Sequence, residues 1–340
     1  MLNPDLKLNA KLFDKDVDQQ PIRKGFGEGL VLAADANKQV IGICADLTES
    51  THMLAFRKKY PERFLEMGVA EQNLAAAASG MAAMGKIPFI TSYAMFSPGR
   101  NWEQIRTTIA YNNQPVKIAG SHAGISVGPD GGTHQAIEDI AILRVIPRMV
   151  VISPCDANEA RKATIAAAKT VSPTYIRLAR EKTPVITTDD TPFEIGKAQI
   201  FFAPPEKKYA KGERGTKYDA AIIATGALLH KALAVAQDLS SKGKSVAVMN
   251  LATIKPLDEE AVIRLAHDAG AIVTVEEHQI HGGMGSAVAE CLAANHPVPI
   301  EFIGVKDLFG QSGKPDELVE HYGMGEMHIR ETVQKVMVRK

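Results

Sequence analysis

The sequence has no net charge: 39 Lys and Arg stand against 39 Asp and Glu. It shows no basic stripe either, which argues against nucleic acid as a partner. Cysteine is scarce. Cys44, Cys155 and Cys291 are widely spaced and odd in number, so neither a disulfide framework nor a cysteine-based zinc site is expected. Each lies in an apolar or helix-like run and reads as a small buried hydrophobe, which fits a reduced, cytoplasmic setting. No segment reaches the 18 uninterrupted apolar residues of a membrane-spanning helix, so no membrane partner is expected. The opening MLNPDLKLNAKLFDKDVDQQ is polar and acidic, without the apolar core of a signal peptide. P-loop, G-x-S-x-G and H-E-x-x-H motifs are absent. Neither GFGEG (25–29) nor the GGMG after His281 is a dinucleotide fingerprint, because no strand immediately precedes it.

What is present is a mixture of 45% hydrophobic and 23% charged residues, the balance of a globular chain, over a length that predicts two domains. Val- and Ile-rich runs at 39–46, 87–93, 115–121, 149–154 and 173–179 predict buried strands. Ala-rich helical stretches at 73–85 and 156–170 lie between them, the second with Asp156 as N-cap. From Tyr218 the alternation resumes: strand, a helix stopped by Gly243, strand, a capped helix, strand, helix. Such alternation predicts an α/β protein of two domains, each a mostly parallel sheet with helices on both faces. The first is expected over 18–182 and the second over 218–335. The Pro-rich, charged 183–217 between them reads mainly as a linker, with room for a short hairpin.

Two segments carry candidate chemistry. In EMGVAEQN (66–73), Glu71 stands between a glycine turn and an Ala-rich helix. It is either a helix-start acid favoured by the macrodipole or a buried carboxyl used as a proton donor. GSHAGISVGPDGGTHQAIED (120–139) is a glycine-dense loop after a strand, with His122, Asp130 and His134 in it. That combination suits an anionic or polyhydroxylated ligand. His278 and His281 have a metal-like spacing but read as loop residues ahead of a helix with no third ligand nearby, so packing is expected of them.

The order ADLTEST, GVAEQN, SYAMFSPGRNWEQIR, SHAGISVGPDGGTHQAIED, LRVIPRMVVISPCDANE and TYIRLAR resembles the transketolase family, from about 20 to 335. It is similar to that family's pyrimidine-binding domain, and TVEEHQIHGGMGSAVAE to its C-terminal domain. The family's N-terminal domain binds the cofactor's diphosphate through Mg²⁺ with a G-D-G motif, and no G-D-G occurs here. The resemblance therefore implies the C-terminal subunit of a split transketolase. A separate N-terminal subunit would supply the Mg²⁺ ligands, and an α2β2 heterotetramer is expected. The implied reaction is thiamine diphosphate-dependent transfer of a two-carbon ketol unit between phosphosugars.

Carried onto matching residues, the resemblance makes Glu71 the glutamate facing N1′ of the cofactor's aminopyrimidine, where shared protonation activates the cofactor. Phe96 becomes the aromatic that stacks on the pyrimidine, with Tyr93 beside it, and Gly99 stands where the family often has a further aromatic. Asp46 and Leu47 match positions near the thiazolium and the dimer seam. Asp130 matches a reader of a sugar hydroxyl, and His134 and His122 match substrate-binding histidines, His134 being grouped with Glu71 as catalytic. Arg23, Ser50 and Arg180 match positions that hold the sugar phosphate together with His122. Arg177 competes with Arg180, since three residues apart on a strand the two would face opposite sides. Two other readings stay open. One is a subunit like deoxyxylulose-phosphate synthase or the β subunit of 2-oxoacid dehydrogenases, and the other a non-catalytic regulatory subunit.

Overall fold

The computed structural model of the 340-residue chain describes residues 1–205 and 215–340. Its strands, in chain order, are β1 (Gln19–Pro21), β2 (Val40–Cys44), β3 (Phe64–Glu66), β4 (Ile87–Tyr93), β5 (Lys117–Ser121), β6 (Val150–Ile152), β7 (Thr174–Arg177), β8 (Lys182–Pro184), β9 (Gln199–Phe202), β10 (Ala220–Ala224), β11 (Val246–Asn250), β12 (Thr253–Lys255), β13 (Ile272–Gln279) and β14 (Ile300–Val305). They form a seven-stranded sheet in the order β12-β6-β7-β5-β4-β2-β3, a five-stranded sheet in the order β14-β13-β10-β11-β9, and the small pair β1-β8. Every pairing in the two large sheets is parallel except at the edges β12 and β9. Every residue of β5, β10 and β11 is buried, which is why these runs carry little polar alternation.

Helices cover both faces of the first sheet. Ile22–Ala36 and Ala157–Ala168 pack Phe26, Leu30, Ala160 and Ala167 with Phe89 and Ile176. Glu71–Ala83 lays Leu74, Ala75 and Ala78 against Ile43, Ile90 and Ile118 on the opposite face. Local signals fix several helix ends. The carboxylate of Asp156 accepts the Glu159 N–H at 2.8 Å, that of Asp258 accepts the Ala261 N–H at 3.2 Å, and Gly243 turns at φ +76°. Among the described residues no helix is long and apolar enough to cross a membrane.

The two halves are interlocked rather than joined end to end. β12, from the second half, pairs antiparallel with β6 of the first sheet, and one apolar core runs from Ile90 and Ile118 to Val262 and Met284. The polar opening segment crosses the other way: Leu2 bridges Phe202, and Leu12 is fully buried in the second core. The stretch 183–217, read from sequence mainly as a linker, is more structured than that. It holds the end of β8, paired with β1, and β9, which borders the second sheet through β11. Its residues 206–214 lie outside the described residues.

Candidate functional site

The candidate residues follow the carboxyl ends of the parallel strands of the first sheet, the usual place for a ligand in an open α/β sheet. The turn after β2 gives Asp46, Leu47, Ser50 and His52, the segment after β3 gives Glu71, and the end of β4 gives Tyr93 and Phe96. The loop after β5 gives His122, Asp130 and His134, and the segment after β7 gives Arg180. Arg23 arrives from the first turn of helix Ile22–Ala36. A Cβ at Gly27 would lie 2.3 Å from the His52 carbonyl oxygen, so glycine lets this helix sit against the His52 turn.

Rings form one wall. Tyr93 stacks on the His122 imidazole with centroids 3.8 Å apart and planes at 26°. Tyr93 and Phe96 lie near-parallel at 6.3 Å, and His134 meets Phe96 edge-on at 5.3 Å. His122 Nδ1 shares a hydrogen with Ser121 Oγ at 2.9 Å, and His134 Nδ1 with Thr133 Oγ1 at 3.0 Å.

Cations form the other wall. Arg23 donates through Nε to the Arg180 carbonyl at 3.2 Å and through Nη1 to the Ser50 carbonyl. Arg180 Nη1 donates to the Val127 carbonyl of the glycine-dense loop at 2.6 Å. Burial pushes the pKa of His122 down to about 3, and Arg23, Arg180, His52 and His134 all press it the same way. The imidazole is therefore neutral across the physiological range. Burial and then Arg180 lower Arg23 as well, and burial and then Arg23 lower His52. This concentration of positive charge is the electrostatic complement of an anion.

Glu71 opens its helix with its carboxyl only 2% exposed. Its Oε2 accepts Arg100 Nη1 at 2.7 Å, and its backbone carbonyl accepts Asn101 Nδ2 at 2.9 Å. Asp46, Leu47 and Asp130 make no hydrogen bond or ion pair with the ring and guanidinium cluster among the described residues. Asp46 is exposed in a positive-φ turn, its N–H bonded to Glu66 Oε1 at 2.6 Å, and Leu47 is partly buried beside it. Asp130 is exposed at the end of the helical turn Ile125–Asp130.

Three expectations need correction. Strand β7 ends at Arg177, so Arg180 lies beyond it and the facing rule for a strand does not govern the pair. Arg177 is 5% exposed and points into the protein. Its Nε donates to Asp139 Oδ2 at 2.8 Å and its Nη2 to the Glu277 carbonyl at 2.8 Å. His278 is a fully buried residue of β13, not a loop residue. Three residues of the cleft and its surroundings, His52, Arg100 and Glu277, are not singled out by sequence reasoning. His52 lies two residues beyond Ser50, Arg100 follows the gap at Gly99, and Glu277 sits in the TVEEHQ run.

Glu277 ties the second domain to the glycine-dense loop. Its Oε1 accepts the Ser126 N–H at 2.5 Å, and a Cβ on Gly124 (φ +93°) would fall 2.4 Å from that oxygen. Only glycine admits the carboxylate there.

Partly exposed rings beside a buried carboxyl suit an aminopyrimidine. Among the described residues no group of three or more His, Cys, Asp or Glu side chains could hold a metal ion.

The fold and the cleft define a two-domain α/β protein with a ligand site of rings, one buried carboxyl and clustered cations at its strand ends. Residues 18–185 match the transketolase pyrimidine-binding domain and residues 208–329 the transketolase C-terminal domain, so the chain belongs to the transketolase family. It is 37% identical over 328 residues to the 6-deoxy-6-sulfo-D-fructose transketolase subunit SqwH of Clostridium sp. (strain MSTE9), covering 96% of this chain and 98% of that one. It is 35% identical over 311 residues to an apulose-4-phosphate transketolase subunit of Phocaeicola vulgatus, covering 91% and 95%. A solved structure described as a split gene transketolase, inactive beta4 tetramer, superposes with a TM-score of 0.84 at 39% identity, covering 94% of this chain and 99% of that one.

Proposed function

We propose that this chain is the C-terminal subunit of a cytoplasmic, thiamine diphosphate-dependent transketolase. With a separate N-terminal subunit, in an α2β2 heterotetramer, it moves a two-carbon ketol unit from a ketose phosphate to an aldose phosphate. The observation that carries this reading is the cluster of two guanidiniums, Arg23 and Arg180, with the imidazoles of His52 and His122, built beside the Tyr93–Phe96 wall and the buried Glu71. A sugar phosphate satisfies that cluster, since guanidinium–phosphate bonds are strong and directional. The names of the sulfofructose and apulose phosphate relatives, both subunits, support a sugar substrate and a divided enzyme.

When bound, the cofactor supplies the electron sink that two-carbon transfer needs. Phe96 and Tyr93 would hold its pyrimidine, Glu71 would hold a proton against N1′, and Asp46 and Leu47 would line its thiazolium end. Mg²⁺ and the diphosphate would be held by the N-terminal subunit. Arg23, Arg180, Ser50 and His122 grip the sugar phosphate, while Asp130 and His134 orient sugar hydroxyls. His122, neutral before substrate arrives, gains a reason to hold a proton once phosphate sits among the cations.

Arg180→Ala tests the phosphate role. Losing one charged hydrogen bond to a ligand costs about 1.5–3 kcal/mol, or roughly ten- to a hundredfold in kcat/KM. The substitution also removes the bond to the Val127 carbonyl, a loss expected to affect phosphorylated and unphosphorylated substrates alike. The informative quantity is therefore the ratio of kcat/KM for erythrose 4-phosphate or ribose 5-phosphate to that for glycolaldehyde. It should fall at least about tenfold. An unchanged ratio rules Arg180 out as a phosphate ligand.

A further inference from the structure

Arg100 is left without a role by the transfer reading, yet it makes two contacts at once. Its Nη1 donates to Glu71 Oε2 at 2.7 Å, and its guanidinium carbon lies 4.8 Å from the centroid of the Phe96 ring, over its face. Its side chain is 49% exposed, whereas that of Glu71 is 2% exposed. A planar, cationic group rich in N–H donors thus rests on an aromatic face and aims a donor at a buried carboxyl. Those are also the two contacts an aminopyrimidine needs if it stacks on Phe96 and meets Glu71 through N1′.

The neighbouring position shows why an arginine does this here. A Cβ at Gly99 would fall 1.9 Å from the Met95 carbonyl oxygen, so no side chain can stand at 99. The space beside Phe96 is left to the residue after it. Glu71 has its own reason to keep a partner, because a buried carboxylate without one is costly.

We propose that Arg100 is a placeholder for the cofactor's aminopyrimidine. In the cofactor-free chain its guanidinium covers Phe96 and pairs with Glu71, and the incoming cofactor displaces it toward solvent. This rests on the reading of Glu71 and Phe96 as cofactor residues. Arg100 thereby sets cofactor affinity: each binding event gives up an ion pair that the empty site had. A half-exposed pair of this kind changes an equilibrium by up to about fivefold.

The test is calorimetric titration of thiamine diphosphate, with Mg²⁺ present, into the cofactor-free complex of this chain and its N-terminal subunit. Wild type, Arg100→Met and Arg100→Gln are compared, and melting temperatures are taken with and without cofactor. With Met, the cofactor Kd should fall about two- to fivefold. The empty complex should melt earlier, and the rise in melting temperature on adding cofactor should grow. Should the Met variant fail to fold, Gln still pairs with Glu71 but without charge, and a smaller gain in the same direction is expected. A general structural role for Arg100 cannot tighten binding, so an unchanged or weaker Kd in the folded variants overturns the placeholder role. A wild-type complex that takes up no thiamine diphosphate would overturn the transfer reading itself, and the placeholder role with it.

Discussion

Glu71→Gln should lower turnover of the assembled enzyme by about 10²- to 10⁴-fold, the usual contribution of general acid–base catalysis, while leaving assembly intact. The amide is nearly isosteric with the acid and can still accept from Arg100, whose Nη1 lies 2.7 Å from Oε2. The backbone carbonyl keeps its bond from Asn101 Nδ2. Shape and packing are thus preserved at a position only 2% exposed. What the amide cannot do is carry a proton to share with N1′. Steady-state turnover, set beside the elution volume of the complex, reads the two properties separately. A variant within roughly threefold of wild type would make Glu71 a helix-start acid and nothing more.

Arg177→Met should act through stability instead. The guanidinium is 5% exposed and the Asp139 side chain 1% exposed, 2.8 Å apart. Tyr175 donates to the same Asp139 oxygen at 2.6 Å, and Arg177 also bonds the Ala136 and Glu277 carbonyls. Removing the cation strands a buried carboxylate with one remaining donor. Breaking such a pair typically costs about 3–5 kcal/mol. The midpoint of urea unfolding should fall accordingly, and any loss of activity should follow the folded fraction equally for phosphorylated and unphosphorylated acceptors. A stable variant that loses only phosphorylated substrates would return Arg177 to the cleft.

The contrast between these two residues shows what the sequence could and could not disclose. Parallel strands were legible because both their faces are covered, which leaves runs such as VIGIC and AAIIA with almost no polar alternation. Helix ends were legible where a single side chain sets them, as at Asp156 and Asp258. Sheet edges were not. β9 and β12 are three or four residues long, and their partners lie about 50 and 100 residues away in the chain, so no local pattern records the pairing. The same holds for Leu12, whose polar surroundings in the sequence conceal a place in the second core.

In the site, family resemblance placed residue types at strand ends, and the fold gathers most of them. It could not say which way Arg177 points, because that depends on β7 stopping at residue 177 and on Asp139 waiting beneath it. Nor does spacing reveal Arg100. Its meaning comes from the clash that a side chain at Gly99 would make and from a carboxylate 29 residues away.

The central claim is that this chain works only as half of a divided transketolase. Purified alone, with thiamine diphosphate and Mg²⁺, it should transfer no ketol unit. The decisive assay mixes it with the N-terminal subunit and follows ketol transfer from a panel of phosphoketoses to aldose phosphates. Turnover should appear on mixing and saturate at one subunit of each kind. Full turnover by this chain alone, in a preparation shown by mass spectrometry to be free of any partner, would overturn the account.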